Sequence, residues 1–272
     1  MKAEIIAVGS EMLTPAHVDT NSLYITERLN ELGIDVQGKS VAGDDRGVLR
    51  AIVADALRRS DLLILTGGLG PTDDDITREV VADLIGQPLE YHPEIFELIE
   101  KRFLARGLRT PEINRRQAMV PRGATVLPNV NGTAPGLWIE HGQKPIVLLP
   151  GPPREMKPIL DAVIQERMRA RTGTLRLYRR VLRITGQSES SVEEQMQPLY
   201  AHWLAAPVKI ISTILASLGQ IELHLAAIAA SPEEARRVLD AAVAQVVDRL
   251  GRDVFSVNGE TMQQVVGELC RT

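Results

Sequence analysis

Short, uniformly apolar runs, each closed by glycine or a polar turn, set the rhythm of the first half of this chain. Residues 5–8 run into Gly9-Ser10, residues 62–65 into Thr66-Gly67-Gly68, and residues 146–149 into Pro150-Gly151. A run without polar alternation predicts a strand buried on both faces, as in a parallel sheet covered by helices. Between these runs lie stretches of helical spacing. Residues 20–32 carry Leu23, Ile25, Leu29 and Leu32 and stop at Gly33, and residues 48–57, 76–85, 93–106, 111–119 and 155–169 read the same way. Residues 34–41 alternate as a strand, and 125–127 and 137–140 are shorter strand candidates on either side of a glycine loop. Strands alternating with helices predict an open α/β sandwich ending near residue 170.

The rhythm then changes. Residues 169–173 are polar and flexible, a plausible boundary. After them come a strand at 175–184, a helix at 190–200, strands at 208–215 and 221–229, a helix at 232–250 and a strand at 253–257. Ser231, Pro232 and Glu234 supply the cap, first residue and third helical position of the last helix. The order β-α-β-β-α-β is that of a split βαβ unit. The expected organisation is therefore a domain over 1–170, a smaller α+β domain over 174–257, and a linker or the opening of a further domain over 258–272.

Composition narrows the classes. The chain has 272 residues, 44% of them hydrophobic, enough for a full core in one large or two modest domains. The net charge of −4, from 31 basic and 35 acidic side chains interspersed, speaks against a polybasic nucleic-acid tail. A single cysteine, Cys270, excludes an internal disulfide and disfavours a zinc cluster. The amino terminus is too short in apolar residues for a signal peptide, and no run approaches a membrane span, so a cytoplasmic protein is expected.

The chemistry concentrates where the apolar runs end. Thr66-Gly67-Gly68-Leu69-Gly70 is followed within ten residues by Asp73, Asp74 and Asp75. Glycine amides at a strand end form an anion nest, the following helix, expected to begin near Asp74 or Asp75, favours negative charge, and the carboxylates suit a hard cation. The blander reading is a turn in which Asp73 or Asp74 caps the helix. Three like charges in a row exceed what one cap needs. Neither G-x-G-x-x-G nor a P-loop is present. Asn131, Gly132, Thr133 and Gly136 make a second loop, with polar groups for a ligand edge. Gly151, with Glu155 in the next helical turn and Lys157 beyond, makes a third. Gly9 and Glu11, then Asp19 and Asn21, follow the first strand, and Asp44-Asp45 the second. Arg179, Arg180 and Arg183 form a basic cluster, but no G-x-x-G clamp or aromatic stacking pair accompanies it, so nucleic acid is not an expected partner. The five histidines lack metal spacing, and no G-x-S-x-G elbow supports a serine hydrolase.

GSEML at 9–13, DTNSLYI at 19–25, GDD at 43–45, TGGLGPTDDDIT at 66–77, NGTAPG at 131–136 and PGPPREMK at 150–157 together resemble the CinA family of competence/damage-inducible proteins. TGG alone resembles only the wider molybdopterin-binding superfamily of MogA- and MoaB-like proteins. The resemblance implies a three-layer α/β/α sandwich, often dimeric, followed by a KH-like domain. It also implies ADP-ribose pyrophosphatase activity with a divalent metal, helped by potassium. Family members commonly add a nicotinamide mononucleotide deamidase domain, of which this chain holds at most the opening.

The expectation is thus hydrolysis of a nucleoside diphosphate sugar, ADP-ribose first, to AMP and ribose 5-phosphate. Asp73, Asp74 and Glu155 would bind Mg²⁺, Mn²⁺ or Co²⁺, and amides of Gly67, Gly68 and Gly70 would hold a phosphate. Gly9, Glu11, Asp19, Asn21, Asp44, Thr66, Asn131, Gly132, Thr133, Gly151 and Lys157 would line the substrate site. The alternatives are a pterin-phosphate or nucleotide binding module without hydrolysis, and a dimerising structural part of a deamidase.

Overall fold

The computed structural model describes residues 1–217 and 219–271. Two compact units divide the chain: Met1–Asn30 with Ile34–Thr172, and Glu31–Gly33 with Gly173–Thr272.

The first unit runs β1 (Lys2–Val8), α1 (Thr20–Glu31), β2 (Asp35–Ala42), α2 (Arg46–Arg59), β3 (Leu62–Thr66), α3 (Thr77–Ile85), β4 (Leu89–Tyr91), α4 (Pro93–Leu104), β5 (Met119–Pro121), β6 (Thr125–Leu127), β7 (Gly136–His141), β8 (Lys144–Leu149) and α5 (Pro153–Val163). Its main sheet has the order β2-β1-β3-β8-β7-β6. β2, β1, β3 and β8 are parallel, while β7 and β6 are antiparallel additions. The apolar runs occupy the centre and are buried on both faces, which is why they show no alternation. Ile6, Val8, Leu63, Leu65, Ile146 and Leu148 share one core with Leu49 and Val53 of α2, Val80 and Val81 of α3 and Ile95 and Ile99 of α4. The alternate side chains Ile5, Ile64 and Val147 are equally buried. On that face α1 and α5 are tied together, since Tyr24 Oη and Arg28 Nε both donate to Asp161, each at 2.9 Å. The unit is the expected three-layer sandwich.

Several boundaries differ from expectation. The helix after the aspartates begins at Thr77, with Ile76 at its N-cap and no side-chain cap. The helix expected at 111–119 is a 3-10 segment, Glu112–Ala118, and β4 and β5 form a two-stranded sheet that the sequence reading missed. α5 ends at Val163 and passes into a π turn, Ile164–Met168, instead of continuing regularly to 169.

The second unit runs β9 (Arg176–Ile184), α6 (Glu189–Ala205), β10 (Ile210–Ser217), β11 (Gln220–Ala229), α7 (Pro232–Leu250), β12 (Val254–Ser256) and α8 (Met262–Leu269). The sheet order is β10-β11-β9-β12, antiparallel throughout. Leu182, Ile184, Leu223 and Leu225 pack with Val192, Met196 and Trp203 of α6 and Leu239, Ala242 and Val246 of α7. Ser231 accepts the Glu234 amide as an N-cap at 3.2 Å. α6 continues past the expected 200 to Ala205 with Pro198 in its interior, the buried Trp203 anchoring its last turn. The segment expected to be a linker contains α8, capped by Thr261 and Gln264 in a capping box.

Candidate functional site

The parallel strands β1, β3 and β8 end side by side: Ala7 pairs with Thr66, and Thr66 with Leu149. The residues just beyond them therefore meet at one sheet edge, the place where open α/β sheets bind ligands. A cavity of about 360 Å³ lies there, walled by Gly9, Glu11, Asp44, Gly67, Gly68, Leu69, Gly70, Asp74, Asp75, Thr133, Ala134, Gly151, Pro152 and Glu155. Loops expected from separate parts of the sequence thus converge on one opening.

The glycine turn is tightly held. Gly67 has φ 105°, and a Cβ there would lie 2.0 Å from the Val8 carbonyl oxygen. Thr77 Oγ1 donates to the Gly67 carbonyl at 2.8 Å, and the Thr77 amide to the Gly68 carbonyl at 3.1 Å. Arg78 is 2% exposed. Its guanidinium donates to the carbonyls of Leu69 and Arg116, both at 2.8 Å. Burial pushes Arg78 down to about 10, still far above neutral pH, so a charged group braces the turn from inside. Asp75 accepts the Gly70 amide at 2.7 Å, the Thr72 amide at 2.9 Å and the Thr72 hydroxyl at 2.5 Å. It closes the loop and leaves α3 without a side-chain cap.

These bonds correct the expected phosphate cradle. The Gly67 amide is engaged by the Leu149 carbonyl at 2.9 Å, and the Gly70 amide by Asp75. Of the three amides expected to hold phosphate, Gly68 alone has no protein acceptor among the described residues, and the neighbouring Leu69 amide has none either.

The expected metal set Asp73, Asp74 and Glu155 is not assembled either. Asp73 is fully exposed, pairs with Arg116 at 2.9 Å and lies outside the cavity wall. Among the described residues no three His, Cys, Asp or Glu side chains are gathered to hold a metal ion. Asp74 and Glu155 do face the cavity, with Glu11, Asp44 and Asp75. The neighbouring Thr72 side chain, then its own backbone amide, holds the Asp74 carboxyl below the usual carboxylate range. This donor set fits a cation held by one or two carboxylates and completed by phosphate oxygens of a ligand, the usual habit of Mg²⁺.

Other expected site residues stand behind the wall. Asn21 is buried and donates to Thr66 Oγ1 at 3.0 Å and to the Gly151 carbonyl at 2.7 Å. Thr66 Oγ1 donates to the Pro150 carbonyl at 3.1 Å. Both thus shape the turns and do not reach the cavity. Asp19 accepts the Ser22 amide at 2.9 Å in the first turn of α1, and Lys157 Nζ sits 4.7 Å from the Tyr24 ring centre. The Asn131 side chain donates to the Arg154 carbonyl at 2.8 Å and pins the second loop to the third. Asp44 lines the cavity and accepts the Ser10 amide at 3.0 Å, while the Asp44 amide donates to Ser10 Oγ at 3.1 Å.

Asn129 and Arg78 are the residues that sequence reasoning missed. Asn129 Nδ2 donates to Glu155 Oε2 and to the Ala134 carbonyl, each at 2.8 Å, while its Oδ1 accepts the Gly132 amide at 2.8 Å. An asparagine two or three residues before a glycine is an Asx-turn signal, and that pattern could have found it. Gly132 is needed for space: a Cβ there would lie 1.7 Å from Glu155 Oε2. Replacing Gly132 with alanine is expected to unseat Glu155 from Asn129 and to cost about 1–3 kcal/mol, read as a lower urea midpoint. An unchanged midpoint would contradict this packing.

The fold and the site together define a molybdopterin-binding-type α/β domain. The family model described as "Probable molybdopterin binding domain" matches residues 4–170, and that of the "Damage-inducible protein CinA KH domain" matches 179–256. The chain belongs to the CinA family. It is 42% identical to a CinA-like protein of Koribacter versatilis, over 98% of this chain and 64% of that protein. It is likewise 42% identical to one of Solibacter usitatus, over 100% of this chain and 64% of that protein. The crystal structure of the protein CinA from Thermoplasma acidophilum is similar with a TM-score of 0.56 and 36% identity, covering 61% of this chain and 96% of that one. The chain spans about 64% of the length of the two CinA-like relatives. No helix among the described residues is long and apolar enough to cross a membrane.

Proposed function

We propose that the cavity binds a nucleoside diphosphate sugar, ADP-ribose first, and with a divalent cation hydrolyses its pyrophosphate bond. The observation that supports this reading is the convergence of the glycine turn, Asp74, Thr133 and Glu155 on one opening. The amides of Gly68 and Leu69 meet a phosphate oxygen. Asp74 and Glu155 would hold the cation, with the ligand's oxygens completing its shell. Such a cation supplies charge neutralisation and a more acidic water when bound. Asp44 and Thr133 face the ligand's hydroxyls and polar edge. In the net reaction a water oxygen forms a new bond to phosphorus and the bridging P–O bond breaks. The electron pair leaves on the departing phosphate, and AMP, ribose 5-phosphate and protons to solvent result. Potassium assistance, a homodimer and a cytoplasmic setting belong to the same proposal.

The test is a screen of nucleoside diphosphate sugars with and without Mg²⁺, Mn²⁺, Co²⁺ and K⁺, with products identified by phosphorus NMR. Metal-dependent formation of AMP and ribose 5-phosphate is expected. No turnover of any such substrate would overturn the hydrolase reading.

A second reading, a binding module for a pterin phosphate or nucleotide, is favoured by one observation: no self-sufficient metal cluster exists among the described residues. Calorimetric titration with ADP-ribose, AMP and a pterin phosphate separates the two, since tight binding without products selects the module.

A further inference from the structure

Beside the main cavity lies a second one of about 240 Å³ that shares two of its walls, Thr133 and Glu155. Its remaining lining includes Gly132 and three arginines, Arg102, Arg106 and Arg154. Glu155 is the one carboxylate on that wall, and its closest approach to Arg154 is 4.0 Å, a loose contact. Arg102 directs its guanidinium at the carbonyls of Asn129, at 3.2 Å, and Val130, at 2.8 Å, so no carboxylate offsets its charge there. Arg106 is exposed at the end of α4 and Arg154 in the first turn of α5. Three guanidinium groups against one carboxylate make a positively charged recess. Planar guanidinium forks match phosphate oxygens with two parallel bonds, which is why arginine marks phosphate sites.

We propose that this recess is a second phosphate subsite, and that the ligand is a diphosphate passing beside Glu155 where the two cavities meet. One phosphate rests on the amides of Gly68 and Leu69, and the other meets Arg106 and Arg154. This inference rests on the nucleoside diphosphate reading above and adds to it the reason for choosing diphosphates over monophosphates. Glu155 borders both cavities, and a cation held there would offset its charge beside the phosphates. Asn129 holds Glu155 in that place, and Gly132 leaves the room for it.

The experiment compares ADP, ADP-ribose and AMP binding to the full chain by calorimetry with Mg²⁺ present. The proteins are the wild type, R106A, R154A, the double variant and R109A, an exposed arginine outside both cavities. Each subsite substitution is expected to weaken ADP and ADP-ribose about tenfold or more, the loss of one charge-assisted contact. The ratio of ADP to AMP affinity falls toward one in the double variant. R109A leaves all three affinities unchanged. Both arginines are exposed, so the variants keep the wild-type melting temperature. Diphosphate affinities in the double variant equal to those of R109A would overturn the arginine subsite and leave the main reading standing. A wild type that binds neither ADP nor ADP-ribose overturns both.

Discussion

Substituting Asp74 with alanine is expected to lower metal-dependent ADP-ribose turnover by about a hundredfold or more, a typical scale for losing one charged contact to a reacting phosphate. The melting temperature should not move. Asp74 is an exposed loop residue whose polar surroundings are local, Thr72 and its own backbone, so the fold has little to lose. The neighbouring aspartates supply the contrast. D73A removes an exposed pair with Arg116, and exposed pairs contribute about 0–1 kcal/mol, so turnover should be near wild type. D75A removes the acceptor for two amides and a hydroxyl, and both stability and turnover should fall. Steady-state kinetics beside thermal melts of the three variants would check the pattern. Three equal losses would show that the aspartates act together and not in separate roles.

The second large effect is structural. G67A is expected to cost about 3–5 kcal/mol and to lower the melting transition of the first unit by about 10 °C or more. Two penalties add here. The backbone at φ 105° suits glycine, and the added methyl meets the Val8 carbonyl oxygen at 2.0 Å. That oxygen belongs to a central strand and cannot rotate away as a flexible side chain could. Gly107 offers the matched control: its φ is 69°, yet nothing lies within 4 Å of the point where a Cβ would stand. G107A therefore tests backbone strain alone and should cost about 1–2 kcal/mol. Equal melting temperatures for the two variants would refute the close approach of β1 to the glycine turn.

The difference between the fold and the site explains how each was read. The centre of the sheet was legible because residues 62–65 and 146–149 are apolar without interruption, and burial on both faces leaves that trace in any sequence. The order β-α-β-β-α-β was legible because β11 alternates and α7 carries its own cap. β4, β5 and α8 were missed. β5 begins at the last residue of the stretch read as a helix, 111–119, and α8 contains no buried residue to impose a pattern.

At the site, glycine and acid at each strand end pointed to one rim. The division of labour among them was hidden. Asp73, Asp74 and Asp75 are adjacent and chemically identical, yet Asp73 pairs with Arg116, Asp74 faces the cavity, and Asp75 lines the cavity while closing the loop. That outcome depends on partners 43 residues away or on the exact turn of the backbone. The same holds for Gly67, whose amide looks open along the chain and is taken by the Leu149 carbonyl in the fold.

The linear chain by itself determined which segments are buried and where the central strands β1, β3 and β8 end, because hydrophobic periodicity and turn residues act locally. Tertiary structure alone decided which amides remain open, which carboxylates face inward, and that Arg102, Arg106 and Arg154 share a recess. Those outcomes rest on contacts between segments far apart in sequence, and no local pattern encodes them.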